Sequence, residues 1–346
     1  MKGTVLTLSL VLACITSPLL HGQAQETKPI PSPAVGEATR GIATAAEKFL
    51  ATLDEAARGK VVYEFNDAEQ RKRWSNLPTT FVKRGGLRMG DLTDPQREAV
   101  ITLLSVALSP EGYVKVMQMV EADEVLRKGS GKDMFGKAEY YVSFLGRPSA
   151  TEPWMIQFGG HHLALNITLA GQHATLAPSH TAAQPAIYEL EGKTIRPLGG
   201  ETDKAFALMA SLDEAQRKQA VLGFQMHDLV LGPGRDGQTI QPEGIKGSAL
   251  TEKQGEMLLD LASEWTGITH SAIAKAKLEE MKKNLAETWF SWSGPTEKGS
   301  SAYFRIQGPT VMIEYAPQKL GGDALKHIHT MYRDPSNDYG VKWTKP

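Results

Sequence analysis

The 346-residue chain holds one cysteine, Cys14, and that scarcity removes several chemistries at once. Cys14 falls in a segment read below as cleaved. What remains has no thiol for a disulfide, a thiolate metal site or a cysteine nucleophile. An excess of one charge is missing too: 38 Lys and Arg stand against 39 Asp and Glu, a formal net charge of -1 with a pI near 6.8. No global basic field exists to hold nucleic acid or an anionic membrane. Lys83-Arg84 and Lys282-Lys283 read as solvated faces. Past the N-terminus no apolar run reaches the roughly 20 residues that span a bilayer. The chain also lacks a Gly-x-Ser-x-Gly elbow, a His-Glu-x-x-His helix and a Cys-x-x-Cys pair. Leu231–Gly237 is glycine-rich without the Gly-Lys-Ser/Thr of a phosphate loop, and reads as a turn.

The N-terminus has the pattern of an export signal. Lys2 precedes an apolar run from Val5 to Ile15, and Gly22-Gln23-Ala24 places small residues at the cleavage site. We read residues 1–24 as a signal peptide and expect an exported protein, periplasmic or extracellular. Val11-Leu12-Ala13-Cys14 resembles a lipid-attachment box, but the apolar residues continue beyond it to Leu20. Residues 25–36, with Pro29, Pro31 and Pro33, form a proline-rich lead-in expected to be extended.

Helical spacing then predicts a helix from about Glu37 to Leu50, through Ile42, Ala45, Ala46 and Phe49. Thr52-Leu-Asp-Glu55 and Thr93-Asp-Pro-Gln96 read as capping boxes, each opening a helix. Ser109-Pro-Glu-Gly112 leads a further helical run to about Arg127, and strands begin near Tyr140. Past Pro197 the order repeats. Residues 51–56 match 210–215, Leu92–Gln96 matches Leu250–Gln254, and Ser143–Pro148 resembles Ser291–Pro295. Ile156-Gln157 is set against Ile306-Gln307, and His162–Asn166 against Thr310–Glu314. This predicts an α+β fold built from two diverged copies, residues 37–198 and 199–346. Each would be helices followed by antiparallel strands, packed about a pseudo-twofold axis.

The chemistry is carried by polar residues inside apolar strands. Gly159-Gly160 delivers His161 and His162 into a strand-like run ending at Asn166, where alternation would put His162 and Asn166 on one face. Near the C-terminus His327-Ile-His329 follows a strand with Glu314. A His-x-His pair plus a carboxylate suits a divalent metal such as zinc, iron, copper or manganese. His162, Glu314, His327 and His329 are therefore the candidate ligands. The competing reading is a polar seam in which the histidines only hydrogen-bond. Arg333 is expected to clamp an anionic or hydroxyl-rich group, with Asp338 and Asp334 as acceptors that orient the histidines. The bland alternative for these three is a tight turn near the chain end. Trp154, Trp289 and Trp292 read as core, and His173 and His180 as groups that could face the site.

Gly159–Asn166, Arg305–Pro309, Ile313-Glu314, His327–His329, Arg333-Asp334-Pro335 and Asn337–Gly340 together resemble the DUF3500 family of exported bacterial and fungal proteins, over roughly Thr39 onwards. Ser179-His180-Thr181 departs from that pattern, where a bulky apolar residue and a glycine are expected. The resemblance brings no activity with it. From the residues themselves the expected function is a metal-dependent hydrolase or oxidoreductase acting on a small polar or carbohydrate-like substrate. The alternative is a non-catalytic ligand- or metal-binding protein of the cell envelope.

Overall fold

The computed structural model describes residues 31–319 and 322–344. The expected signal peptide, and the lead-in up to residue 30, lie outside them. Helix α1 (Pro33–Ala51) begins earlier than expected, because Ser32 caps it and Pro33 suits its first turn. It is followed by α2 (Glu55–Val61), β1 (Val62–Tyr63), α3 (Ala68–Arg71) and β2 (Leu87–Arg88). Two longer helices come next, α4 (Asp94–Ala107) and α5 (Pro110–Ser130). Then come β3 (Tyr141–Leu145), β4 (Trp154–Gly159), β5 (Leu163–Ala170), β6 (His173–Thr175) and β7 (Ser179–Ala183). A small separate hairpin, β8 (Tyr188–Leu190) and β9 (Lys193–Ile195), leads to α6 (Gly199–Ser211) and α7 (Glu214–Ala220). The rest is β10 (Ile245–Lys246), α8 (Glu252–Thr266), α9 (Ser271–Lys283), β11 (Trp289–Ser293), β12 (Tyr303–Gly308), β13 (Val311–Pro317), β14 (Ile328–Arg333) and α10 (Val341–Thr344).

The fold is mixed α+β, and its main sheet is mostly antiparallel. The strand order is β1-β3-β4-β5-β7-β14-β13-β12-β11-β10, with β2 added to β3 and β6 to β5. Registers recur across the sheet. Phe144 pairs with Ile156 and Ile156 with Ile167; Trp292 pairs with Phe304 and Phe304 with Tyr315. Leu87 opposes Val142 as Ile245 opposes Phe290, and Val62 runs parallel to Phe144 as Val221 does to Trp292. Laid over one another, these registers put Gln157 opposite Arg305, two residues from the Gln307 of the sequence match.

The capping expectations divide. Thr93 and Thr251 both stand at N-caps, and Gln96 and Gln254 reach back to the cap amides at 2.9 Å in each case. Thr52 and Ser211 do not. Their hydroxyls donate to Phe49 and Leu208 carbonyls at the ends of α1 and α6, both at 2.7 Å. The caps lie two residues on, at Asp54 and Asp213. The intervening Leu53 and Leu212 are buried, so the chain turns inward before the next helix begins.

Alternation gives the sheet two unlike faces, both buried. Phe144, Ile156, Ile167, Phe304, Ile313 and Tyr332 join the core with residues of the helices. The opposite face carries Ser143, Gln157, Asn166, His180, Arg305, Glu314, His329 and Arg333, all buried. Loops 72–86 and 222–244 cover this polar face, with Trp74 and Leu229 packed against Ala164 and Met331. At the centre β7 pairs with β14, where Thr181 and Thr330 hydroxyls meet at 2.6 Å and the Trp265 indole donates to Thr330 at 2.8 Å.

Candidate metal centre

The polar face brings three imidazoles to one point. His329 lies on β14 and His327 just before it, two residues apart and so on one side of the strand. His162 arrives from the turn between β4 and β5, not from a strand as expected, and its backbone is left-handed with φ 64°. A non-glycine residue there is uncommon, and in this conformation the ring meets those of His327 and His329. Gly159 permits the turn: a Cβ on it would stand 2.2 Å from the Leu163 carbonyl oxygen. The three Nε2 atoms are 3.1 Å (His327–His162), 2.9 Å (His327–His329) and 3.3 Å (His329–His162) apart. Nitrogens about 2.0–2.1 Å from one ion stand about 2.9–3.4 Å apart at octahedral to tetrahedral angles.

Protons alone cannot satisfy this triangle. One N–H can point along one edge, but whichever form the third nitrogen takes, one other edge then opposes two lone pairs or two hydrogens. A cation at the centre would use all three lone pairs together. Burial pushes the His162 imidazole well below its ordinary value, and the neighbouring histidines add to this. Burial lowers His329 as well, opposed by Asp228. Neutral imidazole is the form that ligates a metal.

Further groups surround the triangle. Asp123 Oδ1 accepts from His161 Nδ1 at 2.7 Å, and the His161 ring stacks on His162 with centroids 3.6 Å apart. The second carboxylate oxygen of Asp123 takes the Gly136 amide at 2.7 Å. His180 is fully buried beside His329, ring centroids 5.5 Å apart, and neither of its nitrogens has a hydrogen-bond partner among the described residues. Asp228 Oδ1 lies 3.9 Å from His329 Nδ1 and accepts from Gln318 Nε2 at 3.0 Å. His180 therefore faces the site, one of the two positions the sequence offered for it, whereas Asp228 carried no sequence signal. His173 is elsewhere, stacked on Trp343.

The remaining expected site residues serve the loop instead. Glu314 is outside the histidine group, which corrects its assignment as a ligand. Its Oε1 accepts from the Val230 amide and the Tyr303 hydroxyl, and its Oε2 from the Leu231 amide, each at 2.7 Å. Burial pushes its carboxyl up, and these three donors oppose the shift. Arg333 clamps no open position: it donates to the Leu231 and Gly232 carbonyls at 2.8 and 3.0 Å, and to Asp236 and Asp338 at 3.0 and 2.8 Å. Asp338 also accepts from the Asp334 amide at 2.9 Å, and burial lifts its carboxyl to about 6. Asp334 holds Lys277 at 2.5 Å. None of these carboxylates orients a histidine. They fix loop 222–244 and the tail after β14, because a buried charge is satisfied by the donors nearest to it.

No curated protein and no solved structure matches the chain. The model of the family described as "Protein of unknown function (DUF3500)" matches residues 35–341, a span that includes all three histidines and the segments around them, and the chain belongs to that family.

Proposed function

We propose that this is an exported metalloprotein whose His162, His327 and His329 bind one divalent ion: zinc, iron, copper or manganese. The observation that carries the reading is the Nε2 triangle, with edges of 2.9–3.3 Å. Three imidazoles leave a coordination position for water or substrate, the arrangement of catalytic rather than structural zinc. An ion there would lower the pKa of bound water and polarise a substrate oxygen, which serves hydrolysis; iron or copper would serve oxidation. The three rings are only 3–6% exposed, so a substrate must be small and polar. The same burial favours a second reading, a non-catalytic envelope protein that holds metal or a small ligand.

Protein purified without a histidine tag should carry about one equivalent of metal per three-histidine site. His329→Ala and His162→Ala should each lose most of it with the circular dichroism unchanged. Refolding the wild type with each of the four metals and recovering none would end the reading. Metal retained with no turnover of small esters, sugars or reductants would favour the non-catalytic form.

We also infer that the chain is two diverged copies of one unit, residues 37–198 and 199–346, related by a pseudo-twofold axis at the β7–β14 seam. The shared registers support this, as do Thr93 and Thr251 at matching caps.

A further inference from the structure

Matched registers make differences between the two halves informative, and one of them is a large volume. On the helix-facing side of the first half, Trp154 pairs with Leu169 and is fully buried. Two positions beyond the Phe304–Tyr315 pair, the corresponding place in the second half is taken by Ala302 and Pro317. An indole has been replaced by a methyl group. The covering helix is also shorter: α6 has 13 residues, whereas α1 has 19 and buries Val35, Ala38 and Thr39 in its first turns. A cavity of about 120 Å³ lies at this point, with Ala302 and Pro317 in its wall.

The cavity has a shape and a chemistry. Trp292, Phe304 and Tyr315 lie side by side on adjacent strands, with successive rings 6.1 and 4.7 Å apart and inclined by 12° in both cases. They form a cross-strand stack whose ring edges face the cavity. Ile187 and Leu325 stand at the mouth, 41% and 36% exposed. The polar side of the lining is the 2.7 Å hydrogen bond between the Thr202 and Tyr315 hydroxyls; Arg196 and Ser300 also line the cavity, their side chains bound to Asp203 and to the Pro295 carbonyl. Protein interiors rarely leave such a space unfilled, and an apolar cavity of about 150 Å³ takes up benzene.

We propose that this cavity is a binding site for a one-ring aromatic molecule bearing a hydroxyl. The ring takes the place that Trp154 occupies in the first half, its face against the edges of the Trp292–Phe304–Tyr315 stack, because edge-to-face aromatic contact is favourable. The hydroxyl joins the Thr202–Tyr315 pair at the polar side. The site is separate from the histidine triangle. The two are back to back on β14, since Ile328 lines the cavity between His327 and His329.

The test uses the full protein with p-cresol as probe, followed by thermal unfolding. Saturating p-cresol should raise the Tm by about 2–5 °C, and cyclohexanol, similar in size but not flat, by clearly less. Ala302→Trp should raise the Tm without ligand and abolish the response. Ala302→Leu, a smaller filling in case the indole does not fit, should reduce it. No response in the wild type, or an undiminished one in both folded variants, would overturn the site. Equal shifts from cyclohexanol and p-cresol would overturn its aromatic character.

Discussion

Glu314 separates what a residue type can announce from what only the fold supplies. A carboxylate in an apolar strand demands partners, and that demand was legible. The identity of the partners was not, because the Val230 and Leu231 amides come from a loop more than 80 residues away. The histidines were more legible, since two-residue spacing on a strand fixes a shared face regardless of the rest of the chain. His180 and Asp228 gave no comparable signal: one is a single histidine in a short strand, the other an aspartate in an irregular loop. As a loop tether, Glu314 predicts a specific outcome. Glu314→Gln keeps the shape but turns an amide NH2 towards a backbone donor, leaving a buried group unpaired at a cost of about 1–3 kcal/mol. Chemical denaturation should register that loss, and limited proteolysis should cut loop 222–244 faster. Metal content should stay at the wild-type level; a fall to that of His329→Ala would restore Glu314 as a ligand.

Helix starts show the same division one level up. Thr93 and Thr251 were readable because the Thr-x-x-Gln box and the apolar periodicity point to the same residue. At Thr52 and Ser211 the box was present, but burial of Leu53 and Leu212 moved the start to Asp54 and Asp213. Tertiary packing overrode a local signal, in the same direction both times. The turn after β4 misled for a related reason: two glycines before His161 permit either an irregular strand or a tight return, and only the β4–β5 register decides. The approach to β2 and β10 offers a paired test. Gly86 has φ 94° and Gly244 has φ 97°, and a Cβ on them would stand 2.1 Å from the Val142 carbonyl oxygen and 2.2 Å from that of Phe290. Positive φ alone costs an L-residue about 1–2 kcal/mol, and the close carbonyl adds to it. Gly86→Ala and Gly244→Ala should each lower stability by more than about 2 kcal/mol in urea titrations. Gly129→Ala, in open space on α5, should not lower it.

The whole molecule depends on the β7–β14 seam, which local sequence could suggest but not locate. The expectation of a helices-then-strands order came from matched boxes and matched apolar runs. Which strands meet is decided by long-range pairing, which leaves no local mark beyond apolar alternation. Five residue pairs join β7 to β14, from Ile328–Ala183 to Tyr332–Ser179. On the helical side, Lys115 of α5 reaches Glu201 of α6 and Glu264 of α8, and Ser109 donates to the Gly267 carbonyl at 2.6 Å. Cutting the chain between the halves would strand two buried edges. Residues 31–198 alone would expose the backbone groups of β7, and residues 199–344 those of β14, each a template for aggregation. Glu201, fully buried, would lose Lys115 and be left as an uncompensated carboxylate. The intact protein should therefore unfold in one transition, with fluorescence and circular dichroism coincident. Each half expressed alone should be insoluble or unfolded, and mixing the two during refolding should recover soluble complex. A half that folds alone, with a cooperative transition of its own, would mean that the seam joins two finished domains. The histidine triangle would then lie at an interface able to open, because His162 comes from one side of the seam and His327 and His329 from the other.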